Sequence, residues 1–404
     1  SHNKLSNSQR ISQVIVVLDG LINGIFNGIS IGAVLLIVAL GLAIVFGLMG
    51  VINLAHGELM MLGAYTTYVV QNGFKSFGDG AQDFYIFAAL PLSFVVAALV
   101  GLLLERSVIR LLYGRPLETL LATWGVSLIL QQFVRSVSWA MTFGILAVCL
   151  LLFGGRAALN KFANLGPRQK LANFVVLVLS AGIGITLGRS LNGSDALAKP
   201  WFSARNVDVT APSWLQDSIS VTDTLSFPAA RIFIIALTII CLVGTFWFLN
   251  KSAWGLRIRA VTQNRDMSAC LGIPTKRVDA LTFALGSGLA GIAGCAVTLL
   301  GSVGPNLGSN YIVDAFMVVV VGGVGKLVGS IVAALLIGIV SYILGSGTLV
   351  LMLPSSEALQ PLIDMATFFA TTSMAKVLVF ALIIAFLQVK PAGLFPQKGR
   401  SVEA

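Results

Sequence analysis

The stretch GLMGVINLAHGELMMLGAY at 47–65 decides the fold, because it sets three polar residues between two strongly apolar runs. These residues are Asn53, His56 and Glu58, and His56 is one of only two histidines in the chain. An ionisable side chain at the centre of a membrane span costs about 2.5 to 3.5 kcal/mol on insertion scales. Polar groups at that depth therefore indicate a polar path through a membrane protein, or a helix that is broken there.

The composition of the whole chain points to a membrane. Of its 404 residues, 57% are hydrophobic and only 10% are charged, whereas soluble domains are typically about 25% charged. A soluble protein with a large buried core is the alternative. It fits poorly, because many apolar runs approach or exceed the roughly 18 to 20 residues that cross a hydrocarbon layer. The sequence therefore predicts an all-α integral membrane protein that crosses the bilayer many times.

The formal net charge of +10 could indicate a nucleic-acid partner, so the placement of the basic residues matters. They fall in loops between apolar runs, in clusters at 106–115, 156–170, 251–277 and 390–400. Clusters separated by an even number of spans are what the positive-inside rule describes. We therefore expect the clusters and both termini to lie in the cytoplasm, and we expect no nucleic-acid partner.

Fitting spans between these clusters predicts about twelve crossings in one transmembrane domain, 1–404. The predicted segments are 11–29, 31–50, 58–70, 84–104, 119–135, 139–153, 171–188, 231–249, 278–300, 313–325, 327–344 and 375–389. Two of them, 58–70 and 313–325, are short enough to be half-helices or re-entrant pieces. Such broken helices are tolerated near the midplane of a membrane where they line a cavity.

Glycines in the apolar segments are interpreted as packing positions. A glycine at every fourth residue of 20–32 leaves one helix face open to a neighbouring backbone. The run at 286–291 matches the dinucleotide fingerprint GxGxxG, but no strand precedes it. The run at 322–329 lacks the first glycine and the Ser or Thr of a phosphate loop. The sequence therefore predicts no nucleotide binding by this chain.

The sequence shows no pattern of an enzyme. It has no nucleophile elbow and no His/Cys cluster, and one buried histidine cannot make a catalytic constellation by itself. The four cysteines lie in predicted spans or in a basic loop, so we expect neither disulfides nor a metal site. The first apolar run is short and no small-residue cleavage site follows it, so we expect the first span to remain in place.

The longest polar insertion with helical character between spans is 252–277, SAWGLRIRAVTQNRDMSACLGIPTKR. Its middle, 259–271, is predicted to form a short helix that Gly272 and Pro274 end. A solvated, positively charged cytoplasmic loop is one interpretation. The other is a docking helix that fits a groove of a cytoplasmic partner.

Six segments together carry a family resemblance. They are ALGLAIVFGLMGVINLAHGELMMLGAYTTYVV from residue 39, RPLETLLATWGVSLILQQFVR from 115, ARNVDVTAPSW from 204, GLRIRAVTQNRDMSACLGIPTKRVDALTFALGSGLAGIAG from 255, GPNLGSNYIVDAFMVVVVGGVGKLVGS from 304 and KPAGLFPQKGR from 390. The chain resembles the membrane subunits of the branched-chain amino acid class of ATP-binding cassette (ABC) importers. Within that class it most closely resembles the urea importer permeases, through VTQNRDMSACLGIPTKRVD, NVDVTAPSW, YIVDAFMVVVVGGVG and GLFPQKGR.

The resemblance implies a translocation subunit that works with other chains in a bacterial inner membrane. Its partners would be a second, homologous permease in a heterodimer, two cytoplasmic ATPase subunits, a periplasmic urea-binding protein and membrane lipid. ATP would bind only to the partner subunits, so this chain is expected to hold no cofactor. The cytoplasmic coupling loop would be 251–277, with ATPase contacts at Arg257, Arg259, Ala260, Asn264, Arg265, Ala269, Gly272 and Ile273.

The chain departs from the family pattern at 138–203, where the relatives pass almost directly to the next shared segment. Two apolar runs flank a basic loop in this stretch, so it is predicted to be an inserted helical hairpin. Only an even number of added crossings leaves the later topology unchanged. The shared core would then have about ten segments.

The polar residues of the predicted spans favour urea as the cargo. Urea is small, planar and neutral, so its path needs hydrogen-bonding groups but no fixed counter-charge. A leucine-type zwitterion would need partners for both charged ends and an apolar pocket. The spans offer mostly neutral groups, namely Asn53, His56, Glu58, Tyr65, Thr66, Thr123, Ser127, Gln131 and Asp314. Branched-chain amino acids and other short amides are the alternative cargoes.

Two further alternatives stay open. Asn53 and His56 could brace a broken helix instead of lining a path, because their side chains satisfy free backbone groups. Glu58 and Asp314 could be favourable acidic residues near helix starts, a similarity that suggests an inverted repeat. The other functional class is a stand-alone facilitator that passes urea down its gradient. A facilitator has no need of a docking helix.

Overall fold

The computed structural model describes residues 7–76, 78–162, 169–191, 201–202, 205–222, 225–348 and 360–395. These residues form α-helices and one short β-hairpin, which confirms the predicted all-α class. The chain divides into two compact units. The first contains Ser1–Ser127 with Asp208–Ala404, and the second contains Leu128–Val207.

The first unit holds the large helical core. Its first part consists of α1 Asn7–Met49, α2 His56–Lys75, α3 Asp79–Gln82, α4 Tyr85–Ser107, a 3₁₀ turn Ile109–Leu111 and the first half of α5 Pro116–Ser136. Its second part consists of α8 Ser213–Gln216, β1 Ser218–Thr222, β2 Leu225–Pro228, α9 Ala229–Lys251, α10 Ala253–Gln263, α11 Arg265–Cys270, α12 Thr275–Thr298, α13 Leu307–Gly322, α14 Leu327–Gly345, α15 Gln360–Phe369 and α16 Thr372–Val389. The antiparallel strands β1 and β2 pair from Ser218 with Pro228 to Thr222 with Leu225.

The second unit contains the rest of α5 followed by α6 Trp139–Phe162 and α7 Gln169–Leu191. α6 and α7 pack as an antiparallel pair, with Gly144 facing Gly184 and Gly188 at close backbone distance. These helices match the segments predicted at 139–153 and 171–188. Residues 163–168 and 192–200 of the predicted insertion lie outside the described residues.

Many of the described helices are suited to cross a bilayer. Six are long and apolar enough by length and composition: Leu18–Met49, Tyr85–Leu111, Pro116–Ser136, Ala229–Lys251, Thr275–Thr298 and Leu327–Gly345. Four shorter apolar helices are Ala140–Leu152, Val175–Leu191, Leu307–Gly322 and Ser373–Val389. The polytopic character predicted from the composition is thereby confirmed.

The first helix corrects the predicted topology. Two crossings are predicted at 11–29 and 31–50, but α1 is one continuous helix of 43 residues. A helix tolerates the single serine that separates the two apolar runs, and the first residue with positive φ is Gly50, at +66°. Three long helices, not four, therefore precede the basic cluster at 106–115. The predicted pair of crossings in 11–50 is therefore wrong, and the orientation of the termini stays a prediction.

The two segments predicted to be short differ from each other. α2 has 20 residues, which makes it longer than the predicted 58–70, but it is not among the described helices that are long and apolar enough to cross a membrane. It begins at His56, beside Val38 in the middle of α1. α13 has 16 residues and begins six positions before the predicted 313–325. The predicted start was placed too late because the first turns of α13 contain polar residues, such as Ser309 and Asn310. An apolar window leaves such residues out, although a helix accommodates them.

The core of the first unit is built around α1 and α12. α12 packs along α4, α2 and α1, while α1 also packs along α14. The middle of α1 is buried over 33–45, and its side chains form one apolar cluster with those of α12, α13 and α14. These two helices therefore position the elements that carry the polar residues.

Close backbone approaches explain the glycine patterns. A Cβ on Gly63 of α2 would collide with the backbone of Gly291 of α12, and a Cβ on Gly291 would collide with the backbone of Ser93 of α4, so neither position has room for a side chain. These contacts confirm the packing interpretation of the run at 286–291. In the stripe at 20–32, Gly28 and Gly32 lie against the backbone of α14, whereas nothing lies within 4 Å of a Cβ on Gly20.

Candidate functional site

The connection between α1 and α2 holds the first polar residue of the decisive stretch. Asn53 is 1% exposed, and its Oδ1 accepts a hydrogen bond from the backbone N–H of Ala55 at 3.0 Å. This local turn brings the chain into α2, which begins at His56. Asn53 therefore does brace the start of a helix, while its Nδ2 has no hydrogen-bond partner.

His56 is fully buried between α2 and α1. Its Nε2 lies 3.2 Å from the carbonyl oxygen of Val38. Because a carbonyl oxygen can only accept, Nε2 carries the proton and donates, which leaves Nδ1 as an acceptor in the neutral ring. Nδ1 is buried without a hydrogen-bond partner. The ring occupies the space beside Gly41 of α1, where an added Cβ would lie 3.0 Å from its Cε1 atom.

α5 is joined to this region by two hydrogen bonds. Ser127 donates through its hydroxyl to Glu58 Oε1 at 3.0 Å, and Thr123 Oγ1 accepts from the backbone N–H of Leu54 at 3.2 Å. Glu58 lies in the first turn of α2 and is 1% exposed. We call Asn53, His56, Glu58, Thr123 and Ser127 the junction cluster. The structure brings these five predicted site residues together.

The start of α13 also meets the junction cluster. Gly57 and Gly308 approach so closely that a Cβ on either would collide with the backbone of the other. A Cβ on Gly308 would also lie 2.8 Å from the carboxyl carbon of Glu58. Four helices therefore converge on the cluster, and a shift of any of them relative to α2 would change its surroundings.

The remaining predicted path residues lie elsewhere. Tyr65 is buried further along α2, and the Thr66 hydroxyl donates to Leu62 of its own helix at 2.7 Å. Asp314 of α13 accepts an ion-paired hydrogen bond from Lys376 of α16 at 3.2 Å. Gln131 belongs to the second unit, where it is half-buried. The junction cluster thus contains five of the nine polar residues predicted to lie in the spans.

Sequence reasoning missed several buried polar residues. Thr67 and Ser93 both donate to the carbonyl oxygen of Gly63, at 3.0 and 2.9 Å, where α2, α4 and α12 meet. Gln71 and Tyr85 both donate to the carbonyl oxygen of Thr210. Ser and Thr in apolar spans carry a weak signal, because they readily bond to their own helix backbone. Their partners on other helices are not visible in the sequence.

The predicted docking helix is two helices. A single helix is predicted at 259–271, but α10 begins at Ala253 and the chain breaks at Asn264, with φ −153°. The break has a local cause: Asn264 caps α11, and its Oδ1 accepts from Met267 N–H at 3.0 Å. The predicted end is confirmed, since α11 stops at Cys270 and Gly272 has φ +80°.

The arginines of α10 and α11 are engaged with side chains of this chain. Arg257 stacks over Trp254 at 4.7 Å, and Arg259 donates to Asn250 Oδ1 at 3.3 Å. Arg265 donates to Asp279 Oδ2 at 2.6 Å. The bond between Arg265 and Asp279 joins α11 to α12, and it directs the Arg265 guanidinium toward the bundle.

Three large apolar side chains are also exposed on α10, on α11 and just after α11. Leu256 is 63% exposed, Met267 58% and Leu271 75%. These three residues are not among the predicted ATPase contacts, because sequence alone does not show which side chains of this segment are exposed. Of the other predicted docking residues, Ala269 and Gly272 are exposed, Asn264 is exposed as the cap, Ala260 is half-buried, and Ile273 is half-buried against the α10–α12 core. We call Leu256, Met267 and Leu271 the docking face.

Four charged side chains surround Tyr113 beneath the docking face. Arg110 binds the fully buried Glu105 through two hydrogen bonds of 3.1 and 2.8 Å. The Arg265 guanidinium lies 5.0 Å from the centre of the Tyr113 ring. Burial, followed by the nearby Asp279 carboxylate, raises the pKa of Tyr113. The ring therefore stays neutral and joins α11 and α12 to the α4–α5 connection.

Within the described residues, no three His, Cys, Asp or Glu side chains come together as metal ligands would. The arrangement offers a buried hydrogen-bonding cluster at a helix junction and an exposed apolar face at one end of the same bundle. The first suits passage or gating of a polar solute, and the second suits a partner protein.

Comparison with known proteins identifies relatives for almost the whole chain. The family model of the permease component of branched-chain amino acid transport systems matches residues 24–387. The high-affinity branched-chain amino acid transport system permease protein LivH of Escherichia coli K12 is 27% identical over 90% of this chain and 92% of its own length. The corresponding protein BraD of Pseudomonas aeruginosa is 25% identical over 77% of this chain and 81% of its own length. No solved structure matches the chain.

Proposed function

The chain belongs to the permease-component family of branched-chain amino acid transport systems, and on that premise we propose that it forms the translocation pathway of an ATP-driven importer for branched-chain amino acids. The observation that carries the proposal is the family match over nearly all the membrane helices. Its named relatives are transport permeases and not enzymes, and ATP hydrolysis would take place on partner subunits. The multi-pass fold fits a bacterial inner membrane.

We propose that the docking face binds a cytoplasmic ATPase. Exposed apolar side chains such as Met267 and Leu271 favour a protein partner over water or lipid headgroups. The fixed arginines around them hold the two short helices in place. In a complete importer, two ATPases, a second homologous permease and a periplasmic binding protein would complete the assembly.

A continuous set of contacts connects the docking face to the junction cluster. Arg265 holds α11 to Asp279 of α12, and Gly291 of α12 contacts Gly63 of α2. Movement of the ATPase would pull α11, shift α12 and change the packing of α2 against its neighbours. This route supports alternating access, in which the path opens to one side at a time.

Urea is the second candidate cargo. The junction cluster supports it, because its groups are mostly neutral hydrogen-bond donors and acceptors around one carboxylate, Glu58. Such groups can replace the water around a small amide. The relatives are named for branched-chain amino acids, which makes leucine the first cargo to test.

The decisive experiment reconstitutes the chain with its partner permease, ATPases and binding protein in lipid nanodiscs. ATPase turnover is then compared with the binding protein loaded with leucine or with urea. Stimulation by leucine supports the proposal, and stimulation by urea alone moves the cargo to urea. Solute flux through the chain without ATPase association would contradict both and favour a facilitator.

A matched pair of variants tests the docking face. Leu271→Glu places a charge on the face, whereas Gln263→Glu places one at an exposed site at the end of α10. We expect Leu271→Glu to reduce co-purification of the ATPase at least tenfold and Gln263→Glu to leave it nearly unchanged. Equal effects of both variants would show that added charge, not the docking face, controls assembly.

A further inference from the structure

A second polar feature of the first unit lies in a cleft among α1, α13, α14 and α16. The cleft has a volume of about 840 Å³, within the range of about 300 to 1,000 Å³ that is typical of small-molecule sites. Asp314 and Lys376 lie in it, together with the polar side chains of Asn310, Ser341 and Tyr342. Among the described residues that line the cleft, these two are the charged ones.

The two charges come from segments that are 62 residues apart and form an ion pair of 3.2 Å. The Asp314 side chain is 13% exposed and that of Lys376 is 48% exposed. Charged groups within membrane helices are expensive, and they mark solute pathways more often than packing positions. Lys376 is not among the predicted site residues, because nothing in the sequence places it beside Asp314.

The rest of the cleft is largely apolar. Leu35 of α1, Met317 of α13, Ile337 of α14 and Val379 of α16 contribute side chains to its walls. A site with one positive charge, one negative charge and aliphatic walls matches the three parts of an α-amino acid with an apolar side chain. The spans therefore do supply what such a zwitterion needs: partners for both charged ends and an apolar pocket.

The cleft lies toward the end of the bundle opposite the docking face. α14 begins at Leu327, which packs against the apolar cluster of α10 and α12 near the docking face, and it ends at Gly345, which lines the cleft. Asp314 lies in the third turn of α13, and Lys376 lies in the second turn of α16. If ATPases bind the docking face, the cleft faces the side from which a solute enters.

We propose that this cleft is an entry site for a zwitterionic, apolar α-amino acid, with the ammonium group at Asp314 and the carboxylate at Lys376. The inference rests on the proposed importer function and specifies its cargo. Binding exchanges one ion pair for two, so each protein charge keeps a counter-charge throughout, which limits the desolvation cost. Urea has no charge with which to separate the pair and is excluded by the same argument.

The test measures binding to the reconstituted permease complex in nanodiscs, without binding protein, using leucine, 3-methylbutylamine and 4-methylpentanoate. The amine lacks the carboxylate of leucine, and the acid lacks its ammonium group. We expect Asp314→Asn to weaken the amine and leucine at least tenfold and to spare the acid. Lys376→Met should weaken the acid and leucine and spare the amine.

Asp364→Asn on α15 is the matched control, because Asp364 is exposed and does not line the cleft. The opposite selectivity of the two cleft variants cannot arise from general unfolding, which would weaken all three ligands. Leucine affinity that is unchanged in both variants would overturn the inference and identify the ion pair as structural. Absence of leucine binding to the parent complex would overturn it as well.

Failure of this inference can be distinguished from failure of the proposed function. If leucine-loaded binding protein stimulates the ATPases but neither cleft variant changes leucine binding, the importer stands and the cleft site is wrong. If only urea stimulates the ATPases, the proposed cargo is wrong, and the cleft site is wrong with it.

Discussion

The junction cluster and the charged group beneath the docking face both place polar side chains against apolar helices, but they satisfy them differently. In the junction cluster, Glu58 accepts from a serine hydroxyl and His56 donates to a backbone carbonyl. Beneath the docking face, Glu105 and Asp279 each pair with an arginine. Arginine is suited to the site beneath the docking face, because both guanidinium groups remain partly exposed to water. Partial exposure lowers the desolvation cost of the ion pair.

The two regions also differ in how much room they have. Around the junction cluster the helix backbones touch at Gly57–Gly308 and Gly63–Gly291, so small movements change many contacts at once. The docking face leaves large apolar side chains exposed. The comparison suggests that a partner acts at the open end and that the closely packed junction responds. Four predictions test this contrast.

The largest effect is expected at the closest contact. Gly63→Leu forces a side chain into the backbone of α12, and overpacking typically costs about 1 to 3 kcal/mol and occasionally more. We expect most of the folded protein to be lost, as measured by the monodisperse fraction on size-exclusion chromatography. Gly73→Leu in the same helix is the control, since nothing lies within 4 Å of its Cβ position. Normal folding of Gly63→Leu would contradict the close-packed junction.

The next effect is expected where α11 is tied to α12. Asp279→Ala removes the partner of Arg265, and we expect a cost of about 1 to 3 kcal/mol because a charge-assisted hydrogen bond is lost. Cargo transported per ATP hydrolysed should fall about tenfold, with ATPase binding retained. Asp266→Asn is the control, because Asp266 is exposed and lies next to Arg265 on α11. If transport per ATP is unchanged, the ion pair does not connect the two regions.

A smaller effect is expected from one neutral hydrogen bond of the junction cluster. Ser127→Ala removes the donor to Glu58, which should cost about 1 kcal/mol and lower the thermal unfolding temperature by a few degrees. Ser107→Ala is the control, because its hydroxyl bonds only to its own helix. If both variants unfold at the same temperature, the hydrogen bond from Ser127 to Glu58 does not stabilise the junction cluster.

The smallest effect is expected at a polar contact that is open to water. The backbone N–H of Ser213 donates to Asp83 Oδ1 at 2.9 Å, and this bond lowers the pKa of Asp83. A lowered pKa in the folded state means that the contact stabilises the loop at neutral pH and is lost as the pH falls through that pKa. Protection of the Ser213 amide in hydrogen exchange should fall accordingly.

Asp83→Asn should remove this pH dependence. Asp217→Asn, which changes the residue directly after α8, should keep it. A Ser213 amide whose protection does not change with pH in the parent protein would show that the Asp83 carboxylate does not hold the loop. The effect on transport should be negligible, in contrast to the variants of the two buried regions.

Much of the fold could be predicted from the sequence. Long apolar runs, basic clusters and glycine spacing predicted the helices at 84–104, 231–249 and 278–300, which α4, α9 and α12 confirm within a few residues. These signals are local, since hydrophobicity and helix-breaking residues act within one segment. The prediction failed at α1, where a pause in hydrophobicity was interpreted as a turn although no residue there stops a helix.

The candidate site was harder to predict, because hydrogen-bond partners are set by packing. Asn53, His56 and Glu58 stand out in the sequence as polar residues in an apolar stretch. The contacts of His56 with Val38 and of Glu58 with Ser127 involve partners 18 and 69 residues away in the chain. Gln131 follows Ser127 on the same helix, yet it belongs to the second unit.

The sequence by itself determined that this protein is a helical membrane permease, because the free energy of placing apolar runs in a bilayer depends on composition and length alone. It also determined the family, through motifs that span most of the chain. Only the tertiary structure decided that Arg265 is directed toward Asp279, that three apolar side chains form the docking face, and that Lys376 meets Asp314. Those outcomes depend on which helix faces meet, and that is fixed by close packing between segments far apart in the chain.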